Sequence, residues 1–571
     1  MGFMTSHKNR WIIQPRLSPE ADAALAAYPP ILRQVLFNRG LATLQEAQAF
    51  LHGEPSFDTN PLQMKGMARA VERIRLALEN GESIAVYGDY DVDGVTATVL
   101  LVEFLRALGG KVREYIPNRF DEGYGLNNEA LAALANDGVQ LVITVDCGVR
   151  SVEEARHAQQ LGLDLIITDH HEPGDNLPDV VAVINPKQAG DIYPEKHLAG
   201  VGIAYKLAEA LAAGYGKRAQ RLLPTFLDLV ALGTVADLAP LTGENRSLVR
   251  RGLEQLRQTS RQGLFSLANV AGVNLKQVNA QTIGYVLGPR LNAAGRLESA
   301  LAAFRLLITT DAQEAGDLAL KLNQQNLERQ KLTHQIQMQA EVLALDGREE
   351  AFLLFAVHPD FSHGVVGLAA SRLVDTHYRP AVVGQYGEET SRCSCRSIPE
   401  FHITHALDEC ADLLVRHGGH AAAAGFTVRN ENLPALIERL HEIARRELSQ
   451  SDLRRRLIAD AEVSLSHLTP DLFRHLERLQ PTGYGNPEPV FVSRNVKITA
   501  KRQVGADGKH LKLSVTNGRI TFDAIGFRLG EMAPNLPNVV DILYTFELNE
   551  YNGYTTFQLN LKDIKPSGVP D

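Results

Sequence analysis

Gly88-Asp89-Tyr90-Asp91-Val92-Asp93-Gly94, with Val145-Asp146-Cys147 and Asp169-His170-His171 downstream, is the part of this sequence whose reading decides the fold. Each stretch follows a run of β-forming residues, at 84–87, 141–145 and 165–168. Each is therefore expected at the carboxyl end of a parallel strand, where open α/β sheets build their sites. Five carboxylates and two imidazoles then converge on one crevice. At about 4 Å, a pair of like charges costs about 1 kcal/mol in water and about 4 kcal/mol at an effective dielectric of 20. Such a cluster calls for divalent cations.

Working outward, strands and helical patterns alternate from about 68 to 260, with a strand at 83–87, a helix at 95–108 closed by Gly109-Gly110, a strand at 112–116 and a helix at 128–136. This alternation implies βαβ units around a mostly parallel sheet. Residues 1–67 read as an N-terminal accessory region of short helices broken at Pro29-Pro30, and 68–310 as the domain that carries the acidic motifs. Residues 311–346 space Leu318, Leu322, Leu332, Ile336 and Leu343 among polar residues without proline, which predicts one long helix joining two lobes. A second α/β unit is expected over 347–450, with strands at 352–356 and 381–384 and helices at 365–374 and 402–417. Residues 457–571 are β-rich, and the Asn-Gly pairs at 517–518 and 552–553 read as tight hairpin turns. Five such strands suggest a small barrel of the OB type. The fold class is thus α/β, two lobes joined by a helix, with a C-terminal β-barrel.

At 571 residues the chain exceeds one core. Hydrophobic residues make up 44% and charged residues 22%, the balance of a globular protein, and no apolar run is long enough to span a membrane. The start MGFMTSHKNR lacks the apolar core of a secretory signal, so a cytoplasmic location is expected. Four cysteines, 147, 393, 395 and 410, show neither CxxC pairs nor zinc spacing, which points to a reducing compartment. Net charge is −9, so any binding of phosphate must come from local basic features.

Asp89-Tyr90-Asp91-Val92-Asp93-Gly94 opens like a calcium loop, but the glutamate that such a loop needs at its twelfth position is Leu100, and a strand precedes it. Gly94 leads into a helix whose N-terminus favours anions nearby. Asp237, in Gly233-Thr234-Val235-Ala236-Asp237-Leu238, is a lone carboxylate in an apolar stretch, where an unpaired charge is costly. A metal, a helix cap or an ion pair would each answer that cost.

GDYDVDGVTAT at 88–98, VDCG at 145–148, DHHEP at 169–173 and GTVADLAPL at 233–241 resemble the DHH phosphoesterases, and in detail their bacterial single-strand DNA exonuclease branch. LGPRLNAAGRL at 287–297 is similar to a further block of that branch, and GGHAAAAGF at 418–426 to the accessory domain called DHHA1. The resemblance implies a site for two ions, Mg²⁺ or Mn²⁺, with Asp91, Asp93, Asp146, His170 and Asp237 as ligands. Smaller members carry a histidine four positions before the Asp-x-Asp pair; Tyr87 stands there here, and Asp89 is the carboxylate offered in compensation. Asp146 is expected to bridge the ions and His171 to face the scissile phosphate. Two such ions orient a water in line and stabilise both oxygens of a phosphodiester displacement, and oxygen ligands with imidazole suit Mg²⁺ or Mn²⁺.

Three loops are expected to offer arginine forks to phosphate: Asn118-Arg119-Phe120 with Tyr124, Arg290-Leu291-Asn292 with Arg296, and Ser394-Cys395-Arg396-Ser397. By resemblance they hold the 5′-terminal phosphate and first nucleotides, while Gly418-Gly419-His420 lets the backbone approach. Lys497, Lys501, Arg502, Lys509, Lys512 and Tyr484 would extend the track over the barrel. The reading is a 5′-to-3′ exonuclease that releases nucleotides from single-stranded DNA in recombination and repair, with a channel between the lobes that excludes duplex. It implies a monomer whose partners are a single-strand-binding protein and a DNA helicase. The rivals are a DHH phosphodiesterase or pyrophosphatase for small nucleotides, and a non-catalytic DNA-binding scaffold.

Overall fold

The structure is a computed structural model and describes residues 9–119, 122–123, 125–346, 351–551 and 553–568. Its first sheet has five parallel strands in the order Lys111–Tyr115, Ser83–Tyr87, Leu141–Val145, Asp164–Thr168, Ala182–Ile184. From the strand Ser83–Tyr87 the chain first steps to one side and then, at Leu141, to the other. That reversal is a topological switch point, and it opens a crevice at the strands' carboxyl ends.

The helix Val92–Ala107 starts three residues earlier than the pattern predicts, because the Asp91 side chain caps it by accepting from Asp93 N at 2.9 Å and Gly94 N at 3.2 Å. It is apolar nearly all round and buried, as expected of a helix packed on several sides. The helices Gly200–Gly214 and Leu227–Ala236 cover it.

The chain divides into two compact units, one built from the N-terminal segment as far as Gly295, Ser299–Leu320 and the C-terminal segment from Arg456, the other from Arg296–Glu298 and Lys321–Arg455. The division falls inside the helix Ala312–Leu345. In the second unit a five-stranded sheet runs Leu414–His420, Ala423–Arg429, Thr390–Arg396, Ala381–Tyr386, Leu354–His358. The helix expected over 402–417 does not form. Only Ile403–Asp408 is helical, and Leu414–His420 is an edge strand paired with Ala423–Arg429. The helical spacing of Ile403, Ala406, Leu407 and Cys410 lasts under two turns, and the Gly418-Gly419 pair then favours extended chain.

The tail closes into a five-stranded barrel. Phe491–Val504 pairs with both His510–Thr516 and Val539–Tyr551, and Thr521–Gly526 joins Tyr554–Pro566 in parallel. The turn at Asn517-Gly518 is longer than the expected two residues. Thr516 pairs with Thr521, and the Asn517 side chain accepts from Arg519 N and Ile520 N at 3.1 Å, which builds a four-residue loop. The other pair includes Asn552, which lies outside the described residues.

Pro29-Pro30 falls at the expected break, between the helices Pro19–Ala24 and Pro30–Asn38, and Pro30 opens the second of them. The N-terminal region also contributes a strand that its sequence did not suggest, Asn9–Ile13, paired with Arg455–Ala459. Its helices share one hydrophobic core with the barrel, where Leu25, Leu32, Val35 and Leu51 pack in the same cluster as Leu472, Phe491, Val540 and Ile564.

Candidate active site

Each acidic motif follows a strand of the parallel sheet, and the side chains meet. Asp89, Asp93, Asp146 and Asp169 are buried, as expected where a βα loop turns back over a sheet edge. Three overlapping groups have ligand atoms within 4.8 Å of one another: Asp89, Asp91 and Asp146; Asp146, His170 and His171; and Asp93, His170 and Asp237. Asp146 and His170 each belong to two of the three. His170 Nε2 is 3.0 Å from Asp146 Oδ1, 3.8 Å from Asp237 Oδ2 and 3.9 Å from Asp93 Oδ2.

Backbone conformation aims these groups. Asp146 has φ 63° and Leu238, beside Asp237, has φ 59°. Non-glycine residues rarely adopt this left-handed region, and such outliers gather at functional sites. The N-terminus of the helix Gly200–Gly214 grips Asp93, with Gly200 N donating to Oδ2 at 2.6 Å and Val201 N to Oδ1 at 2.8 Å. A Cβ on Gly200 would lie 2.7 Å from Asp146 Cβ, so only glycine permits this approach. The sequence reading missed this helix end; its one signal is the glycine itself.

Electrostatics follow from burial and crowding. Burial, followed by repulsion from Asp91, lifts Asp93 to about 7. Burial with the charges of Asp93 and Asp91 lifts Asp237 to about 9. Asp89 and Asp146 are pushed well above the carboxylate range, by burial first and by neighbouring aspartates second. Burial, with the His171 charge, lowers His170 to about 3, which leaves it a neutral ligand at physiological pH. Burial would also lower His171, but the hydrogen bond and charge of Asp169 outweigh it and hold the ring above its usual value.

Asp169 is the functional residue that the motif reading quoted without giving it a role. Its Oδ1 is 2.7 Å from His171 Nδ1 and accepts from His170 N and His171 N; its Oδ2 accepts from Val149 N at 2.9 Å. Burial alone would raise it, yet its bond to His171 keeps it below the usual carboxylate range. It orients the His171 ring through Nδ1.

The donor set fits divalent cations. Asp89 Oδ1 is buried without a hydrogen-bond partner, and His170 Nε2 faces Asp146 at 3.0 Å without hydrogen-bonding geometry. Carboxylates that must share so small a space need positive charge to stay ionised. Tyr87 takes no part. It is fully buried, and its hydroxyl donates to Gly125 O at 3.0 Å and accepts from Asn127 Nδ2 at 3.2 Å.

The residues expected to hold substrate divide between the units. In the first, Arg119 lies over the Tyr90 ring, 4.9 Å from its centroid. Its loop is anchored by Glu122, which accepts from Tyr115 Oη at 2.6 Å, Asn118 N at 2.7 Å and Asn127 Nδ2 at 2.8 Å. Tyr124 and Phe120 lie outside the described residues. Arg290, Asn292 and Arg296 are not on a loop as expected but on the helix Gly288–Leu297. Arg290 donates to Val286 O, and the Asn292 side chain accepts from Val92 N at 3.0 Å, which ties this helix to the acidic loop.

In the second unit, Ser394 and Arg396 are also not on a loop; they belong to the strand Thr390–Arg396. The start of the helix Val366–His377 approaches them, and a Cβ on Gly367 would be 3.1 Å from Arg396 Nη2 and 3.5 Å from Ser394 Oγ. Arg296 donates to Gly364 O at 3.4 Å. Gly418, Gly419 and His420 end the exposed edge strand. On the barrel, Lys497 and Arg502 are exposed, while Lys501 donates to Leu536 O and Lys512 and Lys509 pair with Asp523 and Asp507. Tyr484 is 66% exposed, and its carbonyl accepts from Leu241 N at 2.7 Å.

Residues 83–234 match the DHH family, N-terminal domain, 350–446 the DHHA1 domain and 459–563 the RecJ OB domain. The single-stranded-DNA-specific exonuclease RecJ of Bacillus subtilis is 40% identical over 99% of this chain and 72% of its own length. The protein of the same name from Escherichia coli is 34% identical over 95% of this chain and 96% of its own. The crystal structure of RecJ in complex with Mn²⁺ from Thermus thermophilus superposes with a TM-score of 0.85 at 31% identity, covering 99% of this chain and 81% of that one. The Mg²⁺ complex gives 0.79 at 30% identity, over 98% and 79%.

Proposed function

This chain belongs to the RecJ family of single-stranded-DNA-specific exonucleases, and from that membership we propose how its residues divide the work. It is an exodeoxyribonuclease that uses Mn²⁺ or Mg²⁺, with an OB domain that binds single-stranded DNA and a role in DNA repair. Two cations, when bound, supply Lewis-acid activation of a water and neutralise charge on the phosphodiester.

Asp91, Asp93, Asp146, His170 and Asp237 hold the ions, with Asp146 shared and Asp89 adding a further carboxylate. The observation that carries this reading is the set of overlapping groups centred on Asp146 and His170. His171, positioned by Asp169, presents Nε2 to a phosphate oxygen. Asn292 holds the acidic loop in place.

Ser394 and Arg396 take the terminal 5′ phosphate, supported by the approach of a helix N-terminus to both. Arg119, Arg290 and Arg296 hold the following backbone, and Gly418, Gly419 and His420 border the strand's path. Digestion then runs 5′ to 3′ and releases nucleotides. A helicase supplies the single strand this chemistry needs, a single-strand-binding protein covers the remainder, and the chain works as a monomer in the cytoplasm.

The test uses internally labelled single strands blocked at one end or the other. Blocking the 5′ end should stop degradation and blocking the 3′ end should not; the reverse pattern refutes the polarity. His171→Ala should cut turnover about a hundredfold or more while Mn²⁺ binding persists, and unchanged turnover would remove it from the reaction.

A further inference from the structure

We propose that the sheet of the second unit carries an additional anion subsite, formed by Arg392, Thr427 and Arg416 beside Ser394, that receives the outer phosphates of a 5′-triphosphorylated strand end. The proposal rests on the reading that Ser394 and Arg396 hold the terminal phosphate.

Strand register builds the site. Three strands run side by side, so residues two apart on one strand share a face and line up in rows across the sheet. One row is Arg416, Thr427, Arg392; the next is Gly418, Gly425, Ser394; the third is His420, Ala423, Arg396. The first two rows line a cavity of about 280 Å³, and among the described residues that line it there is no carboxylate. A Cβ on Gly418 would meet nothing within 4 Å, and one on Gly425 would meet only Cys393 O, at 3.5 Å. The floor between the arginines and Ser394 is therefore bare backbone, open to a flat-lying ligand.

The charge here is uncommitted. Three other surface arginines of this unit are paired, Arg439 with Asp412 at 2.5 Å, Arg446 with Glu409 at 2.6 Å and Arg454 with Asp452 at 2.8 Å. Among the described residues, Arg392 and Arg416 have no carboxylate partner, and Arg416 Nε reaches Thr427 Oγ1 only at 3.4 Å. Two exposed guanidiniums flank a buried hydroxyl, a donor arrangement suited to phosphate oxygens.

Position selects the ligand. Along the strand Arg392 lies two residues, roughly 6.6 Å, from Ser394 and four residues, roughly 13 Å, from Arg396, too far for one phosphate to touch both arginine rows, whereas two or three linked phosphates starting at Ser394 extend toward the Arg392 row. In an exonuclease that releases nucleotides from the 5′ end, the next phosphate inward along the strand is the scissile one. An anion continuous with the terminal phosphate yet outside the strand is a linked phosphate, as on chains begun de novo from a nucleoside triphosphate.

The test compares one oligonucleotide bearing a 5′ hydroxyl, monophosphate or triphosphate, with affinity and single-turnover cleavage measured on the full chain and on Arg392→Ala, Arg416→Ala, Arg392→Lys and Arg396→Ala. The parent should bind the triphosphate end at least about fivefold more tightly than the monophosphate end. Each alanine variant at 392 or 416 should erase that increment and keep the preference for monophosphate over hydroxyl, and Arg392→Lys should restore part of it. A parent that does not distinguish triphosphate from monophosphate overturns the proposal. So does an increment that survives both alanine variants, or a loss equal for all three ends, which marks a non-specific salt-dependent contact. A monophosphate preference unchanged in Arg396→Ala overturns the end-pocket reading instead, and the two failures are read from different ratios.

Discussion

Asp146 and Asp169 stand at the ends of adjacent strands, both buried, and their environments drive them in opposite directions. Asp169 is surrounded by donors, three backbone amides and the His171 ring, and is held charged. Asp146 faces other carboxylates and is pushed toward protonation. The cluster was legible in the sequence because so many strand-end carboxylates cannot coexist without cations. The role of Asp169 was not, because its partner at Val149 is known only once the strands are side by side. A pH dependence follows. With Asp93 at about 7 and Asp237 at about 9, above the ordinary value of about 4, metal-free folding takes up protons. The stability these groups confer is complete at low pH and is lost as pH rises through about 7 and 9. Cations bind the ionised form and remove that loss. The gain in Tm on replacing EDTA with Mn²⁺ should therefore grow between about pH 5.5 and 8.5, as scanning calorimetry can measure. A gain that shrinks over that range contradicts the assignment.

At the scale of elements, close helix packing fixes the site as firmly as the ligands do. A Cβ on Gly233 would collide with Thr96 Oγ1, lie 2.7 Å from Val201 Cγ1 and 2.8 Å from Asp93 Oδ1. Gly233→Ala should cost about 1–3 kcal/mol and weaken Mn²⁺ binding together with stability, since the helix carrying Asp237 must move away from Asp93. Urea titration and calorimetry check the two effects; an alanine variant of parental stability and affinity would show that the helices yield freely. The parallel sheet was legible because the strand segments at 84–87, 141–145 and 165–168 are unbroken runs of β-forming, mostly apolar residues, each ending at an acidic motif. The segments bearing Arg290 and Arg396 were misread as loops, because their structure depends on packing and pairing partners far away in sequence. Ser394 lies opposite Gly425, and Asn292 is fastened to Val92. Local pattern carries no trace of either.

At the scale of the whole chain, the tail is not a detachable module. The barrel and the N-terminal helices fill one core, and Arg246, 1% exposed, donates to the carbonyls of Phe50, Arg478, Leu479, Gln480 and Pro481 with its guanidinium over the Phe50 ring. Sequence pattern showed a β-rich tail and an N-terminal region but not their common core, since the apolar residues of each would serve a private core equally well. Truncation after residue 457 should consequently lower the Tm of the remainder, beyond any loss of DNA binding. Arg246→Ala should cost at least about 3 kcal/mol, because five carbonyls lose a charged donor. A truncated chain that melts where the parent does would contradict the shared core. The proposed function stands on one cluster, built around Asp146, that would hold two cations for hydrolysis of the strand. The most direct measurement titrates Mn²⁺ into the full chain and into Asp146→Asn by calorimetry, with digestion of a single-stranded oligonucleotide followed on the same samples. Two ions per chain in the parent, with occupancy and hydrolysis lost together in the variant, is the predicted result; a variant that digests within tenfold of the parent contradicts it.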